Sequence, residues 1–191
     1  MKKLFLMTVL LLLVTVSSFA QRYIPGQKAI QLTLGAVDGF KLKQQDGQAF
    51  SIGIAISKYT KGTNRWIYGG EFLQKYFGYK NIYIPLNQFT AEAGYYHKLL
   101  ADPSKTFFFS IGGSLLAGYE TINWGDKQLR DGASIENKDA FLFGASLGLE
   151  TECFISDRYV LLLGIKERYL PTSSVSDFHF QLSLGIKIII N

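Results

Sequence analysis

The segment Gly144-Ala145-Ser146-Leu147-Gly148 matches G-x-S-x-G, the spacing that presents a serine nucleophile. That chemistry needs a sharp strand-to-helix turn to expose the hydroxyl. It also needs a histidine to take the proton. The chain has two histidines, His97 and His179. His97 falls at an expected turn, and His179 lies near the start of the last apolar ribbon. Around Ser146 the residues alternate in character without a break. Ser146 is therefore read as a small inward residue, and no catalytic residue is assigned.

Metal and cofactor chemistry find no better footing. One cysteine, Cys153, and two histidines make no zinc set. Asp126, Asp131, Glu136 and Asp139 share one segment without the spacing of a calcium loop. There is no glycine-rich phosphate loop ahead of a helix. No cofactor or metal is expected. A second group of residues is more suggestive: Glu71, Glu92 and Glu150 with Lys166, Arg168 and Lys187. All share a face with glycine and serine. Buried charges must be paired, so an internal ion-pair network is expected, with Lys166 or Arg168 as the partner of Glu150. The alternative is an ion or proton path.

The elements that carry these residues are strands, because side chains of a strand point alternately to opposite faces. Phe178, Phe180, Leu182, Leu184, Ile186, Ile188 and Ile190 form one such row. Ile52, Ile54 and Ile56 form another, as do Phe107, Phe109, Ile111 and Leu115. Phe141, Phe143, Leu147 and Leu149 repeat the pattern, followed by Tyr159, Leu161, Leu163 and Ile165. Weaker stretches near 29–35, 65–74 and 88–98 bring the total to eight candidate strands. The opposite face is rich in Gly, Ser and Ala. A wet outer face has no use for glycine, but the interior of a narrow barrel does. The apolar rows must then face outward, which is stable only in lipid. The expected fold is all-β: an eight-stranded antiparallel up-and-down transmembrane barrel of the outer-membrane type, with a filled lumen. A lipocalin-like barrel in water is the alternative.

The beginning of the chain agrees. Lys2 and Lys3 precede an apolar run and then Ser18-Phe19-Ala20-Gln21. This is the layout of a secretory signal peptide, and the run is short for a membrane anchor. Residues 1–20 are read as the signal and 21–191 as the barrel domain, with Gln21 as the mature N-terminus. Without Lys2 and Lys3 the 20 basic residues become 18 against 15 acids, a net charge of +3. Interleaved charge of that size is a poor footprint for direct nucleic-acid binding. Outer-membrane lipid is the expected surrounding.

With eight strands both termini lie in the periplasm. Turns there are expected at 58–64, 99–105 and 156–158. Outer loops are expected at 36–48, 75–87, 120–139 and 170–177. The longest, from Glu120 to Asp139, carries Trp124, Asp126, Arg130 and Asp131 and is the candidate docking loop. An exposed Trp beside an Arg has the composition of an interface anchor.

"RYIPGQK" at 22–28, "GYETINWGD" leading into "LRDGASI", and "ISDRYVLLL" resemble the conjugal transfer protein TraO family of Bacteroidetes conjugative elements. The resemblance spans the mature chain and implies a role in a DNA-transfer apparatus, with other conjugation proteins as partners. It brings no catalytic residues, and the chain is not expected to be an enzyme. Three function classes remain in view. They are a structural component of the mating apparatus, a general small barrel for adhesion or envelope integrity, and an outer-membrane lipid-modifying enzyme.

Overall fold

A computed structural model describes residues 23–41, 45–129, 131–136 and 139–190. The signal segment and Gln21 lie outside them. Eight strands follow in chain order: β1 Lys28–Val37, β2 Ala49–Tyr59, β3 Arg65–Tyr79, β4 Ile82–Ala101, β5 Phe107–Ile122, β6 Ala140–Phe154, β7 Tyr159–Tyr169 and β8 Phe178–Ile190. Each pairs antiparallel with the next, and β1 pairs with β8 from Lys28↔Ile190 to Val37↔Gln181. The sheet is thus a closed barrel with no free edge.

Alternation sets the two faces. Leu34, Ile54, Leu115, Phe141, Leu147, Leu163 and Leu184 are exposed on the outside, each in an apolar row of its strand. Such a continuous outward band needs a hydrocarbon surround. Inward positions alternate small with large. A Cβ at Gly112 would overlap the Tyr96 ring, and one at Gly148 would stand 2.8 Å from its hydroxyl. Tyr96, Gly112, Gly148 and Lys166 form one cross-strand row. The two glycines make the bed in which the Tyr96 ring lies flat across the wall.

At the end that carries the termini the connections are short: 60–64, 102–106 and 155–158. At the opposite end they span 38–48, 80–81, 123–139 and 170–177. One expected loop is corrected. Residues 75–87 are the tip of a β3–β4 hairpin, closed by a two-residue turn at Lys80-Asn81. The strands outrun the apolar band, which ends at the facing pair Phe72 and Phe89. Gln74 and Asn87 follow on the same face, joined by a hydrogen bond of 2.7 Å. His97 is also corrected. It sits in β4 opposite Ile111, exposed, just before a bulge at Leu99, rather than in a turn.

The adjacent glycines of β5 test the packing of the wall. Gly112→Ala should displace Tyr96 and lower barrel stability by about 1–3 kcal/mol, the usual cost of overpacking. Gly113→Ala points outward, with Leu147 Cδ2 at 3.5 Å, and should change it by less than about 0.5 kcal/mol. Urea titration of the refolded barrel in detergent separates the two; equal midpoints would contradict the assignment of faces.

Candidate functional site

The lumen is filled in layers. Nearest the termini, Tyr23 enters the mouth and stacks on Tyr59 with ring centroids 3.8 Å apart. Phe108 and Phe154 meet it edge-on. Gly26 N–H donates to Tyr59 O, and Tyr59 N–H donates to Gln27 O, which fixes the segment across the opening.

Above this plug lies the first charged layer. Arg65, 1 % exposed, is ion-paired with Glu150 through Nη2 and with Glu152 through Nη1 at 3.2 Å. Lys187 is paired with Glu152 and stands 3.4 Å from Glu150. The Tyr23 hydroxyl donates to Glu152 at 2.7 Å. The Arg65 guanidinium lies 4.8 Å from the Tyr96 ring centroid, a cation–π geometry.

The second charged layer sits deeper. Lys166 donates to Glu92 at 2.7 Å and lies 3.8 Å from Glu71. Arg168 pairs with Glu71 at 3.1 Å. Ser114 and Gln181 donate to the remaining carboxylate oxygens. The six charged residues expected inside, Glu71, Glu92, Glu150, Lys166, Arg168 and Lys187, all line the lumen, but in two sets. Glu150 pairs with Arg65 and Lys187, not with Lys166 or Arg168. Arg65 and Glu152 were missed, although each lies in phase with an expected lumen residue of its own strand. Ser146 is buried on the straight run of β6, with no strand-to-helix turn. The one lumenal histidine, His179, is held by Asp38.

At the far end two carboxylates hold the connections. Asp38 follows β1. It accepts from His179 Nδ1 at 2.9 Å, Lys75 Nζ at 2.6 Å and Phe180 N at 3.0 Å. Burial would raise its pKa, but the hydrogen bonds from His179 and Lys75 outweigh this and hold the carboxyl down at about 2. Glu120 is fully buried with no cation partner among the described residues. It accepts from Gln88, from the Ser173 hydroxyl, and from the Ser174 amide and hydroxyl at 2.6–2.9 Å. That carboxylate pins 170–177 to β5.

The loop 123–139 leans on the β3–β4 hairpin. Asp131 pairs with Lys80 at 2.5 Å, which lowers its pKa. Ile135 lines an apolar pocket with Phe77, Ile84, Leu86, Ile122 and Val175. Asp139 accepts from the Tyr119 hydroxyl and from Ile122 N. Asp126 accepts from Gln128 N. At the front, Asn123, Trp124 and Gly125 are three consecutive left-handed residues, with φ of 49, 57 and 87°. Asn123 Nδ2 donates to Asp126 O at 2.8 Å and closes this turn. Trp124 is left 63 % exposed. Arg130, expected beside it, lies outside the described residues.

Compared with known protein families, the chain matches conjugative transposon protein TraO over residues 24–190. It belongs to the TraO family. Among solved structures, this TraO-family chain is similar to Neisserial surface protein A, with a TM-score of 0.60 at 12 % identity over 84 % of this chain and 96 % of that one. It is also similar to Ail, the attachment invasion locus protein of Yersinia pestis, in its complex with the heparin analogue sucrose octasulfate. That likeness has a TM-score of 0.55 at 12 % identity, over 87 % of this chain and 100 % of that one. At such identities the likeness is one of fold, the closed outer-membrane barrel. Comparison with curated proteins finds no match.

Two predictions follow for this TraO-family lumen. Removing one side of a buried pair leaves an uncompensated charge, at a cost of about 3–5 kcal/mol. Arg65→Met should cost this much in urea unfolding, because it strands two carboxylates on Lys187 alone; an unchanged midpoint would mean that water reaches the layer. The second prediction concerns Asp38. Its folded-state pKa lies below the unfolded value, so its stabilisation is complete above about pH 4 and is lost as pH falls toward 2. Between those limits the wild type should lose about 1 kcal/mol more than Asp38→Asn, solvent screening at this half-buried carboxylate reducing the full linkage value, read from unfolding midpoints at each pH.

Proposed function

We propose that this TraO-family protein is a structural outer-membrane component of the conjugative DNA-transfer apparatus, one that anchors or docks other transfer proteins. Export uses a cleaved signal peptide and leaves Gln21 first. The termini then lie in the periplasm and the β3–β4 hairpin with loop 123–139 faces outward. Trp124, Asp126 and Asp131 belong to the docking surface, together with Arg130.

The observation that carries this reading is the filled lumen. The space left among Glu71, Glu92, Tyr96, Glu150 and Lys166 is about 40 Å³, room for water and little else. A polymer as wide as DNA has no route through an eight-stranded wall of this kind. The useful surface is therefore at an end. The outward end is the one with long connections, tied together by Asp131–Lys80 and Glu120, with an aromatic side chain left in the open.

Replacing 123–135 with a short Gly-Ser turn should leave the barrel intact, because its stability resides in the strand ladder and the lipid-facing rows. The shortened protein should still insert and run anomalously on unheated SDS gels. Conjugative transfer from a strain that carries it should fall strongly, toward the level of a deletion strain. Normal insertion with unchanged transfer frequency would overturn the docking role of this loop.

A further inference from the structure

A lipid-facing groove lies under the turn that follows β1. Asp38 (φ 53°) and Gly39 (φ 129°) turn the chain out of the strand. The bonds of Asp38 to His179, Lys75 and Phe180 fasten that turn to β8 and β3. The chain is thereby thrown over the outer face of the barrel, where Phe40 is 72 % exposed and Lys41 is also exposed. Beneath them Ala36 pairs with Phe50 on one side and Leu182 on the other. A small side chain between two large ones leaves a pit. Leu34, Leu163 and Leu184 extend it toward the midplane, and the whole groove measures about 470 Å³.

What occupies such a groove is set by its surroundings and its rim. The floor is apolar and lies in the band that faces hydrocarbon, so the neighbouring matter is lipid chain. The rim carries a cation. Lys41 Nζ donates to the backbone oxygen of Asp46 at 2.6 Å. No carboxylate lies within ion-pair distance of it among the described residues. An ammonium has three donors, and among the described residues Lys41 Nζ spends one of them, on Asp46 O. We propose that this groove binds one acyl chain of an outer-leaflet lipid with an anionic phosphate headgroup, the phosphate being met by Lys41.

A trough elsewhere on the same barrel provides the contrast. Gly70, Ala91 and Ala117 form a floor beneath Phe72, Phe89 and Tyr119, and the space is larger, about 640 Å³. Its rim presents a carboxylate, because the Tyr119 hydroxyl donates to Asp139. Acyl chains can lie there, but an anionic head is repelled. The two grooves therefore differ in headgroup preference although both are apolar. This inference takes its orientation from the function proposed above and does not depend on the transfer role.

The test uses the mature barrel in phosphatidylcholine nanodiscs, with trace spin-labelled phosphatidic acid or spin-labelled phosphatidylcholine. The motionally restricted lipid fraction is read by electron paramagnetic resonance. Wild type should favour phosphatidic acid about fivefold, as expected for one lysine at a headgroup. Lys41→Glu should abolish the preference. Ala36→Phe, which points away from the lumen, should fill the pit and also remove it. Ala91→Phe should fill the other trough and leave the preference intact. Anomalous migration on unheated gels certifies the fold of each variant. A wild type without preference, or Lys41→Glu or Ala36→Phe barrels that keep it, would overturn the proposal.

Discussion

In hydrocarbon there is no water to satisfy a backbone N–H or C=O left open, and each costs several kcal/mol. The pairing of β1 with β8 is the interaction on which everything else rests, because it removes the last edge. Closure at eight strands then fixes the bore. A bore that narrow must be filled by its own side chains, and this is why Gly112 and Gly148 face Tyr96 rather than water.

Closure also explains why the interior is charged. A strand apolar on both faces would be a continuous apolar run, with nothing to say which face belongs in lipid. Pairing register in a sheet has a period of two, so a slip by one residue exchanges the faces. A slip in β6 would turn Glu150 and Glu152 into lipid, and a slip in β8 would expose Lys187. Such errors are far more costly than the loss of a few apolar contacts. The ion pairs also satisfy one another: Arg65 and Lys187 against Glu150 and Glu152, Lys166 and Arg168 against Glu71 and Glu92. Buried pairs of this sort contribute little net stability over apolar packing. Their larger contribution in this barrel is to register.

The faces were legible in the amino-acid sequence because alternation is local; reading two residues ahead suffices. The partners of Glu150 were not legible. Arg65 reaches it across the lumen from β3 to β6, and that meeting depends on strand tilt and stagger, which no local pattern encodes. Arg65 and Glu152 were still within reach of the same rule, being in phase with Glu71 and Glu150. Their phase is hard to see because both sit near strand ends, Arg65 just before the aromatic pair Trp66 and Tyr68. The hairpin tip at 75–87 has the sequence character of a loop for a different reason. Beyond the lipid both of its faces carry aromatic and polar residues, so the contrast that marks a membrane strand fades while the ladder continues. The left-handed turn at Trp124 could not be foreseen either, since positive φ is unusual for so large a side chain.

That turn shows how the fixed and the variable parts divide in a barrel of this size. The lumen is stoppered by Tyr23 at one end, while Asp38 with His179, and Glu120 with its serines, tie down the connections at the other. Side chains in the bore are tied to one another and to the wall. The connections are under no such restriction, and they can hold conformations that cost energy. A non-glycine residue in the left-handed region costs on the order of 1–2 kcal/mol, and Asn123 and Trp124 are both there. Strain of this kind persists only where the surroundings over-determine it. Here they do so through the Asn123–Asp126 bond, the bridge between Gln128 and Ser134, and the Asp131–Lys80 pair. The result is a large aromatic side chain carried on a fixed backbone, and in the docking role proposed above such a group would lose little backbone entropy on binding. A rigid barrel provides the foundation for that preorganisation, because the hairpin against which the loop leans is an extension of the barrel wall.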